Sequence, residues 1–349
     1  MRTEHDVPLG PLTTLGLGGP ADVLVTAETE QELVEAVLAD DHAMVLGGGS
    51  NLVVPDAGLR GTVIRIATRG RTEVQGGIEV AAGEDWDGFV AQVVAAGRSG
   101  VEALSGIPGL TGGTPVQNVG AYGQDVSHTV VRVRALDRRA ATVVELDARS
   151  CGFAYRTSVF KAHPARWVVL AVVFDLAADG LSAPVRYAEL ARAVGVGLGE
   201  RAPVDQVREA VLALRRGKGM VLDPLDPDSR SAGSFFTNPV LEAAQVAALR
   251  EKYGELSAWP DEAGRSKVSA AWLIERSGFA KGWGDGPVGL SGKHVLALVN
   301  RGGASTADLV RVARAVRDGV QLATGVRLVP EPVFAGGWTL DTAPADPPR

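Results

Sequence analysis

Val45-Leu46-Gly47-Gly48-Gly49-Ser50-Asn51 joins a short apolar strand, Met44 to Leu46, to three glycines, a hydroxyl and an amide. Glycine has no Cβ, so the backbone there can adopt φ > 0 and come close to a ligand. Successive N–H groups in such a turn form a concave anion site suited to a pyrophosphate. Ser50 and Asn51 add side-chain donors, while a tight strand-to-loop turn is the plainer alternative. Familiar nucleotide motifs are missing. No Gly-x-Gly-x-x-Gly opens a helix, as a dinucleotide fold requires. Gly292-Lys293 is followed by His294, and Pro287 stands where a P-loop needs glycine.

Outward from this loop, the chain alternates short elements. Ala21 to Thr26 reads as a strand, and Thr29 with Glu32 forms a capping box ahead of the stripe Leu33, Val34, Val37 and Leu38. A strand over 62–66 completes a small β-α-β-loop-β unit. From Arg71 a second unit follows, with a strand over 78–81 and a helix over 86–96 that Gly97 ends. Ser105 to Gly123 has neither a strand nor a helix period and is rich in Gly, Pro and small polar residues, the character of a functional loop. Strands over 130–137, 142–146 and 167–176 suggest an antiparallel sheet. Pro203 opens a helix running to about Arg216. The Pro-punctuated stretch 222–228 is the best domain boundary. Beyond it the pattern predicts helices over 239–252, 268–277 and 306–322, strands over 295–299 and 327–329, and a disordered tail over 341–349.

With 349 residues, 46% of them hydrophobic, the chain can bury a sizeable core in two or three domains. A net charge of −6 argues against nucleic acid or an anionic membrane as partner. The single cysteine, Cys151, forbids an internal disulfide and fits a reducing compartment. Five histidines show no metal-type pairing, so no metal site is expected. The N-terminus lacks an apolar run, and the longest apolar stretch, Trp167 to Phe174, is too short to span a bilayer. A cytoplasmic protein is expected.

Reactive groups concentrate in three distant stretches. In Tyr155-Arg156-Thr157-Ser158-Val159-Phe160-Lys161, the Ser-x-x-Lys spacing resembles a β-lactamase nucleophile, but Ser-Asp-Asn and Lys-Thr-Gly are absent. Arg156 is the candidate there, because its planar fork suits a carboxylate; a structural salt bridge is the alternative. Ser231-Ala-Gly-Ser234-Phe-Phe-Thr-Asn238 is no nucleophile elbow and has no nearby His base, so Ser234 suits a proton donor or a turn cap. In Leu328-Val-Pro-Glu331-Pro-Val-Phe334, a lone Glu between prolines should be partly buried, the setting in which carboxyl groups are perturbed. An edge-strand Glu is the alternative.

Taken in order, these stretches resemble the UDP-N-acetylenolpyruvoylglucosamine reductases, the flavoprotein family also called MurB, in its longer type I branch. The matches are residues 45–51, Gly83-Glu-Asp-Trp86, Ile107-Pro-Gly109, Gln117-Asn-Val-Gly-Ala-Tyr-Gly123, Tyr155 to Lys161, Ala232 to Pro239 and Pro330-Glu331. They span about residues 13 to 334. Each alone is weak, but the ordered set is specific. The resemblance implies an α+β fold: a two-part FAD-binding module of the vanillyl-alcohol-oxidase type plus a C-terminal α/β substrate-binding domain. The implied parts are 1–70 and 71–220 for the module, with 326–340 returning to the second part, and 221–325 for the substrate domain.

On the family pattern, Gly47, Gly48, Gly49, Ser50 and Asn51 wrap the FAD pyrophosphate. Ser105, Gly106, Ile107, Pro108, Gly109, Gln117, Asn118, Gly120, Ala121 and Tyr122 surround the flavin and adenylate. The catalytic positions fall on Arg156, Ser234 and Glu331. NADPH reduces FAD and leaves, and flavin N5 then passes hydride to C3 of the enolpyruvyl group. Arg156 stabilises the charge that builds on C2 and the carboxylate, Glu331 polarises the same region, and Ser234 protonates C2. Tyr187, Arg215, Lys218, Asn238, Lys267 and His294 take the UDP part, with His294 standing where the type I pattern has Gln. The implied product is UDP-N-acetylmuramate, for peptidoglycan synthesis by a monomer. Two rivals remain. One is a related FAD oxidoreductase acting on an alcohol or lactone. Such enzymes commonly tether flavin through His or Cys, and neither occurs in these Gly-rich stretches, so non-covalent FAD is expected. The other is a UDP-sugar-binding protein without turnover, which has no use for a proton donor at Ser234.

Overall fold

The computed structural model of the chain describes residues 1–342. They divide into two compact units, one of Met1–Val7, Ala21–Gly49 and Arg60–Gly217, the other of Pro8–Pro20, Ser50–Leu59 and the chain from Lys218 onward.

The first unit holds two sheets around one core. A four-stranded sheet runs in the order Arg2–Pro8, Pro20–Ala27, Leu59–Ile66, Met44–Leu46. Its last pair is parallel, with Val45 opposite Ile64. The strand at Arg2–Pro8 was hidden in sequence because six of its seven residues are polar or Pro and most lie exposed. Thr29 and Glu32 do form a capping box on the helix Glu30–Ala39, whose Leu33, Ala36 and Val37 are buried. Next comes an antiparallel sheet in the order Thr142–Asp147, Val130–Asp137, Trp167–Phe174, Gly77–Ala81, Arg71–Val74. Its central strand, Trp167–Phe174, is buried on both faces, which is why it reads as an unbroken apolar run. Across it lies the helix Trp86–Ala95, where Trp86, Phe89 and Phe174 pack with ring centroids 5.4 to 5.8 Å apart. Cys151 is buried in this core, and desolvation pushes its thiol up to about 12. The helix Val204–Gly217 rests on Ala188–Val194 through Val207, Val211, Leu190 and Ala191.

In the second unit, helices Ala243–Tyr253, Ala270–Arg276 and Thr306–Thr324 enclose a core centred on Phe235, Phe236, Leu273, Ile274, Leu298 and Val316. A three-stranded sheet runs Val240–Leu241, Ser266–Val268, Ala258–Pro260. Val288–Leu290 pairs with Leu298–Asn300, and Val333–Phe334 runs parallel to Leu52–Val53.

Several boundaries differ from expectation for local reasons. The helix expected from 239 starts at Ala243, because Val240 and Leu241 pair with Lys267 and Ser266 and Glu242 caps the helix. The next helix begins at Ala270, capped by Ser269, since Ser266–Val268 is strand. The strand expected over 295–299 is displaced to Leu298–Asn300, because Ala297 N–H closes a turn on His294 O. No regular strand forms over 327–329. Val329 O accepts the Thr237 N–H, Pro330 has no N–H to continue a ladder, and pairing resumes at Val333. Residues 326–340 lie in the same unit as 218–325. Of the expected tail, Asp341 and Thr342 are ordered, with Asp341 ion-paired to Arg317 and Arg327; residues 343–349 lie outside the described residues. No described helix is long and apolar enough to cross a membrane.

Candidate functional site

In the first unit the glycine stretch is fixed by another backbone. A Cβ on Gly48 would lie 2.6 Å from Gly109 Cα, nearer than real Cβ atoms come, whereas one on Gly47 would meet nothing within 4 Å. Gly49 has φ 60°, which glycine adopts without strain. Gly48 and Gly109 therefore meet backbone to backbone, though far apart in sequence.

Clamps from the helices hold the 105–109 stretch. Gly106 N–H donates to Asp87 Oδ1 at 2.7 Å, and Gly106 O accepts from Arg215 Nη2 at 3.3 Å. Asp87 also receives the Arg208 fork, at 2.6 and 3.0 Å. Burial alone would raise the Asp87 carboxyl, but the Arg208 and Gly106 donors together hold it below the ordinary carboxylate value. Burial pushes the Arg215 guanidinium down to about 10, with Tyr122 and Asp87 opposing and Arg156 adding to the shift. Arg215 stays charged at neutral pH. Gly109 O accepts the Trp86 N–H at 3.1 Å. Ser105 is fully buried and donates to Glu102 O at 2.6 Å. Beyond Gly109, the buried Thr111 Oγ1 has no hydrogen-bond partner among the described residues.

The 117–122 stretch is strained. Asn118, Tyr122 and Arg156 have φ of 46°, 50° and 54°, a region non-glycine residues rarely occupy and one that clusters at ligand sites. Their surroundings enforce it. Asn118 donates to Ala154 O at 3.2 Å and accepts from Ser127 N at 3.2 Å. Arg156 Nη2 donates to Gly120 O at 3.0 Å, and Lys161 Nζ to Arg156 O at 2.9 Å. Ser158 caps the short helix Val159–Ala162, and its Oγ donates to Val116 O. This accounts for the Ser-x-x-Lys spacing without any nucleophile. Gly120–Ala121 pairs with Gln124–Asp125, and the Tyr122 ring meets Tyr187 edge-on at 5.5 Å. Arg156, Arg215, Tyr122 and Tyr187 thus belong to one unit with the glycine loop, and Gln117 precedes Asn118 in the same strained segment.

In the second unit Ser234 and Glu331 lie on neighbouring extended segments. Gly233, at φ 70°, turns the chain into Ser234. Ser234 bridges Ala297, and Phe235 N–H donates to Leu296 O at 2.7 Å. On the other side Glu331 N–H donates to Phe235 O at 2.9 Å, and Phe236 bridges Pro330. Asn51 flanks the same segment, its Nδ2 donating to Glu331 O at 3.4 Å and its O accepting from Val333 N at 2.9 Å. Ser50 O accepts from Thr14 Oγ1 at 3.4 Å. Both Ser234 and Glu331 are half-buried. Asn238 Oδ1 accepts the Ala270 N–H at 2.9 Å, at the start of a helix. Lys267 sits mid-sheet between Val240 and Trp259, directly opposite both. His294 N–H donates to Ser291 Oγ at 3.2 Å. Lys218 follows the helix that ends at Gly217.

Sequence reading missed Asp87, Thr111, Glu102 and Trp259. Asp87 adjoins the quoted Gly83 to Trp86 stretch, and a charge at the start of an apolar helix was its signal. Trp259 is half-exposed beside Lys267, and only the strand register reveals it.

Residues 21–147, which carry the glycine loop and the 105–122 segment, match the FAD binding domain family. The protein is therefore an FAD-binding flavoprotein of the two-part α+β type, with a separate C-terminal domain. Residues 223–335 match the family described as UDP-N-acetylenolpyruvoylglucosamine reductase, C-terminal domain. The chain is 55% identical to the UDP-N-acetylenolpyruvoylglucosamine reductase of Thermobifida fusca, over 95% of this chain and 98% of that one. Identity to the reductase of Streptomyces coelicolor is also 55%, over 95% and 90%. The crystal structure of the Thermus caldophilus MurB superposes with a TM-score of 0.67 at 27% identity, covering 96% of this chain and 99% of that one. The chain belongs to the UDP-N-acetylenolpyruvoylglucosamine reductase family and is an FAD-dependent oxidoreductase.

Proposed function

We propose that the protein reduces the enolpyruvyl group of UDP-N-acetylglucosamine enolpyruvate to give UDP-N-acetylmuramate, with NADPH as reductant, in peptidoglycan precursor synthesis. The observation that carries this is the register of Ser234 beside Glu331, fixed by the 2.9 Å bond from Glu331 N to Phe235 O. FAD, when bound, supplies the two-electron chemistry that moves hydride from NADPH to C3 of the substrate. The residues suit that cofactor. Gly48 can approach Gly109 only because it has no side chain of its own, and Gly47 faces open space able to admit a pyrophosphate. Thr111 has a buried hydroxyl that a ligand would satisfy. Gly47 to Asn51, Ser105 to Gly109, Gln117, Asn118 and Gly120 to Tyr122 would hold it, without a covalent bond.

The protein's own groups then handle charge and proton. Hydride arriving at C3 leaves an electron pair at C2, delocalised onto the carboxylate. Arg156, held by its strained backbone and by Gly120 O, presents a permanent cation to that charge. One such donor is worth about 10²–10³-fold. Ser234 gives its hydroxyl proton to C2, completing addition of H⁻ and H⁺ across the double bond. A hydroxyl is a weak acid, but an enolate-like dianion is basic enough to take its proton. Glu331 orients the same region. Tyr187, Arg215, Lys218, Asn238, Lys267 and His294 hold the UDP part. We also propose a finer division at residues 70, 220 and 325, and a monomer in the cytoplasm that takes small molecules, not nucleic acid or membrane.

Anaerobic titration tests the reading. NADPH should bleach the bound flavin, and the enolpyruvyl nucleotide should restore its colour with formation of the lactyl ether. Bleaching without recovery would rule out this substrate.

A further inference from the structure

We propose that Glu102 is a positioning residue for the nucleotide-sugar site, tying the 105–109 loop and the Tyr122 hairpin to the arm that carries Tyr187. The proposal rests on the reading of Tyr187 as a substrate contact. Glu102 is 1% exposed, and a carboxylate so buried is tolerated only when hydrogen bonds replace its water. Its partners are uncharged N–H groups from three separate segments. Gly100 N donates to Oε2 at 2.5 Å. Gln124 Nε2 at 2.9 Å and Ala183 N at 2.6 Å both donate to Oε1. An ionised carboxylate is acceptor-only, so it alone satisfies three converging donors. Glutamine would turn an NH₂ against one of them.

The three segments all lead to the site. Glu102 opens the turn Glu102–Leu104 that runs into Ser105, whose Oγ donates back to Glu102 O. Gln124 Oε1 accepts the Ala103 N–H at 2.8 Å, closing a reciprocal pair. Gln124 itself pairs with Ala121, across the hairpin whose tip is Tyr122. Ala183 is the root of the arm. Downstream, Val185 is tied by backbone bonds to Glu200 and Gly199, and the arm then delivers Tyr187 edge-on to Tyr122. A Cβ on Gly123 would come 3.1 Å from Arg186 Cβ, so hairpin and arm lie in close contact. One carboxylate thus fixes the root of the arm and the base of the hairpin that meets its tip. Nothing in that geometry requires Glu102 to touch substrate.

A double-mutant cycle on the FAD-loaded full chain decides the matter. Affinity for the enolpyruvyl nucleotide is read from perturbation of the flavin spectrum in wild type, Glu102→Gln, Tyr187→Ala and the double variant. Glu102→Gln should retain bound flavin, because Asp87 and Arg215 still hold Gly106, yet raise the nucleotide Kd by about tenfold, the effect of one disrupted buried hydrogen bond. In the Tyr187→Ala background the same change should add less than about twofold, because coupled residues are not additive. A tenfold effect in both backgrounds would overturn the proposal, since Glu102 would then act elsewhere. So would an unchanged Kd in Glu102→Gln. If Tyr187→Ala alone leaves Kd unchanged, the reading of Tyr187 has failed, and a persisting Glu102→Gln effect then overturns the proposal independently. Should Glu102→Gln not retain flavin, Gln124→Met removes one of the three donors, together with the acceptor of the Ala103 N–H, and is judged in the same cycle.

Discussion

The two units prepare their site residues in opposite ways. The first builds its face from backbone, with glycines pressed together at Gly48 and Gly109 and three side-chain-bearing residues forced into left-handed conformations. Hydrogen bonds from Asp87, Arg156 and the buried Arg215 hold that face in shape. In the second unit Ser234 and Glu331 are placed by strand register instead, and neither has a positive φ. Strain belongs where a large rigid cofactor must be gripped without rearranging. Register suffices where a hydroxyl and a carboxylate need only the right spacing. Changes to the glycine face of the first unit should therefore reach flavin retention, and changes at Ser234 or Lys267 in the second should reach turnover or substrate binding with flavin intact.

The largest expected effect tests the second half of that contrast. Ser234→Ala should leave flavin content and NADPH-driven bleaching at wild-type levels, while reoxidation by the enolpyruvyl nucleotide slows by about 10²–10⁴-fold. Ser234→Cys should recover part of the loss, because a thiol is the stronger acid. Stopped-flow on each half-reaction makes the measurement. Equal slowing of both halves would erase the distinction between the units, and unimpaired reoxidation would move the proton source to Glu331 or a water it holds.

Next in size is a paired test of the glycine face. Gly48→Ala places a methyl group 2.6 Å from Gly109 Cα, and such overpacking costs about 1–3 kcal/mol. Thermal stability of the flavin-free protein should fall, and flavin affinity with it. Gly47→Ala meets no protein atom within 4 Å, so the flavin-free protein should keep its stability while FAD binding weakens. If Gly47→Ala binds FAD normally, the open space beside Gly47 is not where the pyrophosphate lies.

The same contrast explains what could be read from the sequence. Glycine runs, capping boxes and apolar strands carry their signal locally, so the glycine loop, the helix after Thr29 and the buried strand Trp167–Phe174 were legible. Arg156, Ser234 and Glu331 were visible only as an ordered set, because each alone also suits a salt bridge, a turn cap or an edge strand. Asp87 showed only as a charge at the start of an apolar helix and Glu102 hardly at all, since Arg208, which clamps the one, and Ala183, which binds the other, lie far along the chain. Nothing in the sequence singled out Trp259, which only the strand register sets opposite Lys267. The strand Arg2–Pro8 was missed because an exposed edge carries no apolar alternation.

Lys267→Ala sharpens the register side. Lys267, proposed above to hold the UDP part, lies on the central strand of a three-stranded sheet, and its loss should leave Ser234 undisturbed. KM for the nucleotide should rise by about tenfold with kcat nearly unchanged, the mark of binding shared by ground and transition states. A fall in kcat at constant KM would bring Lys267 into the chemistry and weaken the claim that only Ser234 and Glu331 are chemically committed there.

The smallest effect separates the units by pH. Burial would raise Asp87, but the Arg208 and Gly106 donors hold its carboxyl below the ordinary value. A depressed carboxyl contributes stability that is fully present above its unfolded pKa, about 3.9, and is lost as pH falls through the folded value. In the second unit, the hydrogen bond from Lys293 Nζ to Asp226, 2.7 Å long, raises the lysine. That contribution is fully present below the lysine's unfolded pKa, about 10.4, and is lost as pH rises through the folded value. Asp87→Asn should therefore flatten the acid side of the stability profile, and Lys293→Met the alkaline side. With a third of the Asp87 side chain exposed, solvent screening limits the neutral-pH loss to a few tenths to about 1 kcal/mol. Of the two, Asp87→Asn alone should also loosen flavin, because Asp87 grips Gly106 and Lys293 does not. Thermal denaturation across pH, with flavin release followed in the same samples, makes the comparison. If Lys293→Met released flavin as readily as Asp87→Asn, cofactor retention would not be a property of the first unit's clamps, and the contrast between gripping and register would fail.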